Sequence, residues 1–149
     1  MIQQPEERRL LLIDDDEDDF LILKDVTDIH FPSLRITYFA HCDHLHKSLF
    51  DDIDIVLLDI NMPRVNGFEC LDLIRSEYDL PRLPVIMYSN SSAAWDVETA
   101  YKRGANFFVK KPGSFQKIRL VLESILSIDW TNIDEITREN TASRNILKY

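Results

Sequence analysis

Glycine is scarce in this sequence, with three in 149 residues. None follows the first apolar run, where a Gly-, Ser- or Thr-rich loop would be needed to cradle a nucleotide phosphate. Cysteine is scarcer still. Cys42 and Cys70 are too few for a disulfide scaffold. Both are expected to be reduced thiols of a cytoplasmic protein. No apolar run approaches the ~20 residues that cross a bilayer. The opening MIQQPEERR lacks the basic-then-apolar order of a secretory signal. Cations are outnumbered, 17 Lys and Arg against 26 Asp and Glu, for a net charge of −9 and a pI near 4.8. That balance excludes unassisted binding to nucleic acid or to an anionic membrane. A divalent metal or a basic partner remains open. Internal repeats and low-complexity linkers are also missing.

What is present is alternation. Five short apolar runs read as strands buried on both faces: Arg9–Ile13, Arg35–Phe39, Ile53–Leu58, Leu83–Tyr88 and Asn106–Val109. Helical stripes lie between and after them. Phe20, Leu23, Val26 and Ile29 form the first, and Leu45 and Leu49 mark a short second helix capped by Asp43. Phe68, Leu71 and Ile74 form the third. Ala93, Val97, Ala100 and Tyr101 form the fourth, closed by Gly104. Phe115, Ile118, Leu122 and Ile125 form the fifth, behind Ser114. The pattern predicts an α/β domain over residues 1–128, with a doubly wound, five-stranded parallel sheet. Residues 129–149 are expected to be a C-terminal tail, helical or frayed, too short for an output domain. Trp130 is expected to anchor it.

In an open parallel sheet, ligands bind beyond the carboxyl ends of the strands. The first run ends in LLLIDDDEDD, placing Asp14, Asp15 and Asp16 there. The third ends at Asp59, followed by Asn61, Met62 and Pro63. The fourth ends at Ser89, Asn90 and Ser91, and the fifth at Lys110 and Lys111. With a strand order 2-1-3-4-5, Asp14 and Asp15 face Asp59 across the switch point. Three converging carboxylates repel one another, and a divalent cation with oxygen ligands relieves that conflict. A metal, a carboxylate nucleophile, the Ser89 hydroxyl and the Lys111 ammonium together suit phosphoryl transfer. Glu17, Asp18 and Asp19 are assigned instead to the first turn of the first helix, where its dipole favours acids.

Four segments, LLLIDDD at 10–16, LLDINMPRVNGFE at 57–69, VIMYSNSS at 85–92 and GANFFVKKP at 104–112, resemble the receiver domain of two-component response regulators. The resemblance implies the flavodoxin-like receiver fold with order 2-1-3-4-5. It also implies a function: acceptance of a phosphoryl group on Asp59 from a sensor histidine kinase or a histidine phosphotransfer protein. Mg2+ would be held by Asp14, Asp15, Asp59 and the backbone carbonyl of Asn61. Ser89 and Lys111 would contact the phosphoryl group. Phe108 would turn inward as the aromatic switch, and Asn61 and Ser91 would tune dephosphorylation. The Lys111–Pro112 bond is expected to be cis. The output would be a change in the face made by the fourth helix, the fifth strand and the fifth helix. That face would meet a downstream protein target or form a homodimer, with Asp96, Glu98, Lys102 and Arg103 as its charges. The protein would be a signalling module and not an enzyme.

Other functions fit less well. A phosphatase using an aspartyl phosphate needs a second acid two residues after the nucleophile, and Asn61 stands there. A degenerate receiver that binds partners without phosphorylation would not need the full set of Asp14, Asp15, Asp59, Ser89 and Lys111. The HCDHLH stretch at 41–46 has metal-ligand residue types but no zinc-motif spacing. It reads as an exposed loop and helix start. Cys70 is assigned to the core.

Overall fold

The strands pair in the order β2-β1-β3-β4-β5, all parallel. They are β1 (Arg8–Ile13), β2 (Leu34–Phe39), β3 (Ile55–Leu58), β4 (Val85–Ser89) and β5 (Phe107–Lys110). The structure is a computed structural model, and it describes residues 6–43 and 45–149. His44, in the HCDHLH stretch, lies outside the described residues, as do the first five residues of the opening segment.

Alternation along each strand splits the core in two. Leu11, Ile13, Val56, Leu58, Met87 and Phe108 face one side, against α2 (Gly67–Asp72) and α3 (Ala94–Lys102). Leu10, Leu12, Ile55, Leu57, Ile86 and Val109 face the other, against α1 (Glu17–His30) and α4 (Phe115–Leu126). Because both faces are covered, the strands need continuous apolar sequence, which is what made them readable. The first helical stripe is only partly core: Leu23 and Val26 are buried, whereas Ile29 is exposed.

Three helix starts, those of α1, α2 and α4, follow capping chemistry. Asp16 accepts from the Asp18 amide at α1, Asn66 from Glu69 at α2, and Ser114 from Lys117 at α4. Gly104, at φ 103°, turns the chain out of α3 toward β5. Gly67 starts α2 hard against β3. A Cβ there would run into the Asp59 carbonyl oxygen and come within 2.8 Å of the Ile60 Cα.

Three expectations need correction. The short second helix is a single 3-10 turn at Lys47–Phe50, preceded by His46 with no side-chain cap. Leu45 and Phe50 are buried without a helical repeat to carry them. The structure joins Cys42 and Cys70 in a disulfide with Cα atoms 6.0 Å apart, so they are not two reduced thiols. Cys42 sits in the loop beyond β2 and is brought over α2 by the fold, a proximity that counting cysteines cannot reveal. Finally, every described peptide bond is trans, Lys111–Pro112 included. An X-Pro bond retains a net trans preference unless its surroundings reverse it.

The segment beyond α4 is ordered and docked. Trp130 opens a 3-10 turn and packs against the α1/α4 side of the core. A further helix, α5 (Ile133–Ser143), follows, with Ile133 and Asn140 buried. Asn106 ties it down: its Nδ2 donates to Thr137 Oγ1 (2.8 Å), and its carbonyl accepts from Asn140 Nδ2 (2.9 Å).

Candidate functional site

The carboxyl ends of β1, β3, β4 and β5 open into a cleft of about 480 Å³. Asp15, Asp59, Asn61, Asn90 and Lys111 line it. Asp14 and Asp15 leave β1 directly, so the register that pairs Ile13 with Leu58 sets them beside Asp59. The Asp59 amide donates to the Ile13 carbonyl at 2.9 Å, fixing that alignment. One oxygen from each of Asp14, Asp15 and Asp59 falls within 4.8 Å of the others. Asp14 and Asp59 are buried, whereas Asp15 is exposed at the mouth.

Lys111 brings the cation. Its side chain is 7% exposed, and Nζ lies 2.8 Å from Asp14, 2.6 Å from Asp19 and 3.6 Å from Asp59. Its neighbour Lys110 points outward and is exposed. Burial works against the Lys111 charge, but the bonds to Asp14 and Asp19 and the field of Asp59 hold its pKa above the ordinary lysine value. Burial pushes the Asp59 carboxyl up to about 7; Lys111 opposes the shift, and the Asp14 and Asp15 charges add to it. Asp14 is also raised, chiefly by burial, against the pull of Lys111 and of the Asp16 amide. The site therefore holds more negative charge than its lysine offsets. The hard carboxylate oxygens are the donor set that Mg2+ takes, and the crowding is what such a cation relieves.

Two contributors escaped the sequence reading. Asp19, assigned to the helix dipole, instead reaches Lys111 from the first turn of α1. Two residues beyond the Glu17 start of α1 place it on the turn that faces β5, which only the assembled sheet reveals. Tyr38 on β2 donates from its hydroxyl to the Asp14 carbonyl at 2.7 Å and stacks on Phe20 with ring centroids 4.4 Å apart. No site residue was assigned to the second strand, yet it braces the backbone of the acid pair.

The remaining residues divide. Ser89 is fully buried, and its Oγ accepts from the Ser91 amide at 3.2 Å. Ser91 itself is engaged at the start of α3, donating to Asp96 Oδ2 at 2.6 Å and accepting from the Ala93 amide. Asn90, not Ser91, lines the cleft. Phe108 is fully buried in the α2/α3 side of the core. It therefore already occupies the inward position toward which the switch was expected to turn it. Asn61 is exposed at the cleft wall.

A family model of the response regulator receiver domain matches residues 10–123. The chain belongs to that family. Among curated relatives, the receiver is similar to a chemotaxis protein CheY homolog of Campylobacter jejuni, 33% identical over 76 residues. That match covers 51% of this chain and 58% of the relative. Among solved structures, it resembles the CheX–CheY–BeF3–Mg2+ complex from Borrelia burgdorferi, with 27% identity and a TM-score of 0.68. The alignment covers 81% of this receiver and 90% of that chain. A phosphorylated cyanobacterial phytochrome response regulator shares the fold at 22% identity and the same TM-score of 0.68, over 81% of this receiver and 95% of that chain.

Proposed function

We propose that this receiver accepts a phosphoryl group on Asp59 from the phosphohistidine of a sensor histidine kinase or a histidine phosphotransfer protein. The observation that carries the reading is the meeting of Asp14, Asp15 and Asp59 oxygens within 4.8 Å, with Lys111 Nζ beside them. The Borrelia burgdorferi complex contains BeF3 and Mg2+, the ion pair such a cleft would take.

An Asp59 carboxylate oxygen attacks phosphorus in line with the departing imidazole nitrogen. The P–O bond forms as the P–N bond breaks, and the electron pair stays on the donor imidazole. Asp14, Asp15, Asp59 and the backbone carbonyl of Asn61 would hold Mg2+, whose charge offsets that on the phosphoryl oxygens. Lys111 supplies a second positive charge beside Asp59. Ser89 donates its hydroxyl to a phosphoryl oxygen. Asn61, Asn90 and Ser91 govern the access of water that ends the signal.

The protein then acts as a signalling module whose chemistry is limited to its own phosphorylation and dephosphorylation. Its signal passes through Phe108 to the α3–β5–α4 face, where a downstream target or a second copy binds. The already inward Phe108 favours one alternative: a binding module that needs no phosphate. Equal affinity for a target with and without beryllofluoride would select that alternative. The direct test is labelling with acetyl phosphate and Mg2+. The native chain should gain one alkali-labile phosphoryl group, and Asp59→Asn should gain none. Label retained in Asp59→Asn would reject the assignment.

A further inference from the structure

β5 is the last strand of the sheet on its side, and its outer edge is not bare. After α5 the chain turns at Arg144, in the left-handed region at φ 48°, and lays Asn145–Leu147 along that edge. Leu147 pairs in parallel with Val109. Its amide donates to the Phe108 carbonyl (2.9 Å), and its carbonyl accepts from the Lys110 amide (3.0 Å). Ile146 packs on the α2/α3 side of the core, and Leu147 on the α1/α4 side. The segment thus behaves as a short sixth strand, with one aliphatic side chain delivered to each face. The Tyr101 hydroxyl donates to the Asn145 carbonyl, and the Arg144 guanidinium lies 3.6 Å from Glu98.

We propose that the β5 edge is a strand-addition site masked by the chain's own Asn145–Leu147. A partner protein occupies it by inserting an extended segment with two adjacent aliphatic residues. An open edge is a template for such pairing, with backbone bonds giving affinity and alternating pockets giving selectivity. The attachment of the strand itself is small enough to yield: two ladder hydrogen bonds and two half-buried aliphatic side chains, flanked by the Tyr101–Asn145 and Asn145–Asn140 hydrogen bonds and by exposed contacts of Arg144 with Glu98 and of Tyr149 with Ser124. The chain's own segment has the advantage over a second copy because its linkage keeps it at high local concentration. Glu98, one of the charges expected to face a partner, already pairs with Arg144, and Asp96 is taken by Ser91. The inference does not depend on Asp59 accepting phosphate.

The test uses the full chain with Ile146→Asp and Leu147→Asp together, which should undock the segment. The probe is a peptide of sequence SRNILKY, residues 143–149, titrated to millimolar concentration while the Phe107–Lys110 amides are followed by NMR. The variant should show saturable shifts at those amides, with at least tenfold weaker binding to the native chain. Equal binding to both, or none to a variant with a native-like spectrum, would overturn the proposal. Hydrogen exchange on the unaltered protein provides a second check. The Lys110 and Leu147 amides should exchange together, at least a hundredfold faster than those of β3. Exchange at the rate of global unfolding would overturn the mask. So would a concentration-dependent dimer that retains Leu147 protection, because it would make the occupant a second copy.

Discussion

Two cationic side chains partly withdrawn from solvent, at opposite ends of the sheet, are handled in different ways. Near the amino ends of β4 and β5, the Arg75 guanidinium donates to the carbonyls of Gly104 (2.9 Å), Leu80 (2.6 Å) and Leu83 (2.8 Å) and to Asn106 Oδ1 (2.7 Å). Asn106 in turn accepts from the Val85 amide and reaches α5 through Thr137. Burial lowers the Arg75 pKa to about 10, which leaves it charged, and its partners come from the chain itself. At the carboxyl ends, three carboxylates, Asp14, Asp19 and Asp59, surround the ammonium of Lys111, and Asp15 adds a fourth beside Asp14 and Asp59 at the mouth. The first arrangement is closed and holds loops together. The second is left with negative charge that only something from outside can balance, which is why the proposed chemistry is assigned to it.

The sharpest way to break this contrast is to remove each charge in turn. Arg75→Met strands three backbone carbonyls, so urea unfolding should show a loss of about 3 kcal/mol or more. A loss within experimental error would mean that the closed arrangement contributes no stability. Asp59→Asn should act in the opposite direction. Because the folded pKa of Asp59 is raised to about 7, its contribution is fully present below the unfolded carboxylate range. That contribution is lost as pH rises through the folded value. Without Mg2+, the native protein should therefore weaken between about pH 4 and pH 8, and Asp59→Asn should be more stable at the upper end by about 1–3 kcal/mol. A native protein that gains stability over that interval while Asp59→Asn does not would contradict the assigned crowding. Asp19→Asn should have the smallest effect, since Asp19 is partly exposed. Its stability should change by about 1 kcal/mol or less, with acetyl phosphate labelling still confined to Asp59.

The same contrast accounts for what could be read from the chain alone. Strands covered on both faces must be apolar throughout, so β1, β3 and β4 stood out within two residues of their observed bounds. Polar groups sit where such strands stop, and of those singled out by that rule the fold brings Asp14, Asp15, Asp59 and Lys111 together, while Ser89 is buried against the Ser91 amide. Residues that matter through what folds against them were not legible. Asp19 looks like any acid at a helix start until β5 supplies Lys111. Tyr38 looks like a strand residue until its hydroxyl meets the Asp14 carbonyl. The Cys42–Cys70 pair, the seating of Ile146 and Leu147, and the closed Arg75 arrangement all depend on segments far apart in sequence. The segment at Lys47–Phe50 failed as a predicted helix, and forms a 3-10 turn, because two leucines four residues apart do not by themselves specify a period.

The central claim is that the acids around Asp59 tolerate one another by sharing a divalent cation. Thermal unfolding at about pH 8, with millimolar Mg2+ against a chelator, tests it most directly. A ligand that binds only the folded state raises the midpoint by mass action. The native chain should gain several degrees with Mg2+, and Asp15→Asn, which removes the exposed ligand at the cleft mouth, should lose most of that gain. An unchanged midpoint in the native chain, or an equal rise in Asp15→Asn, would contradict the claim.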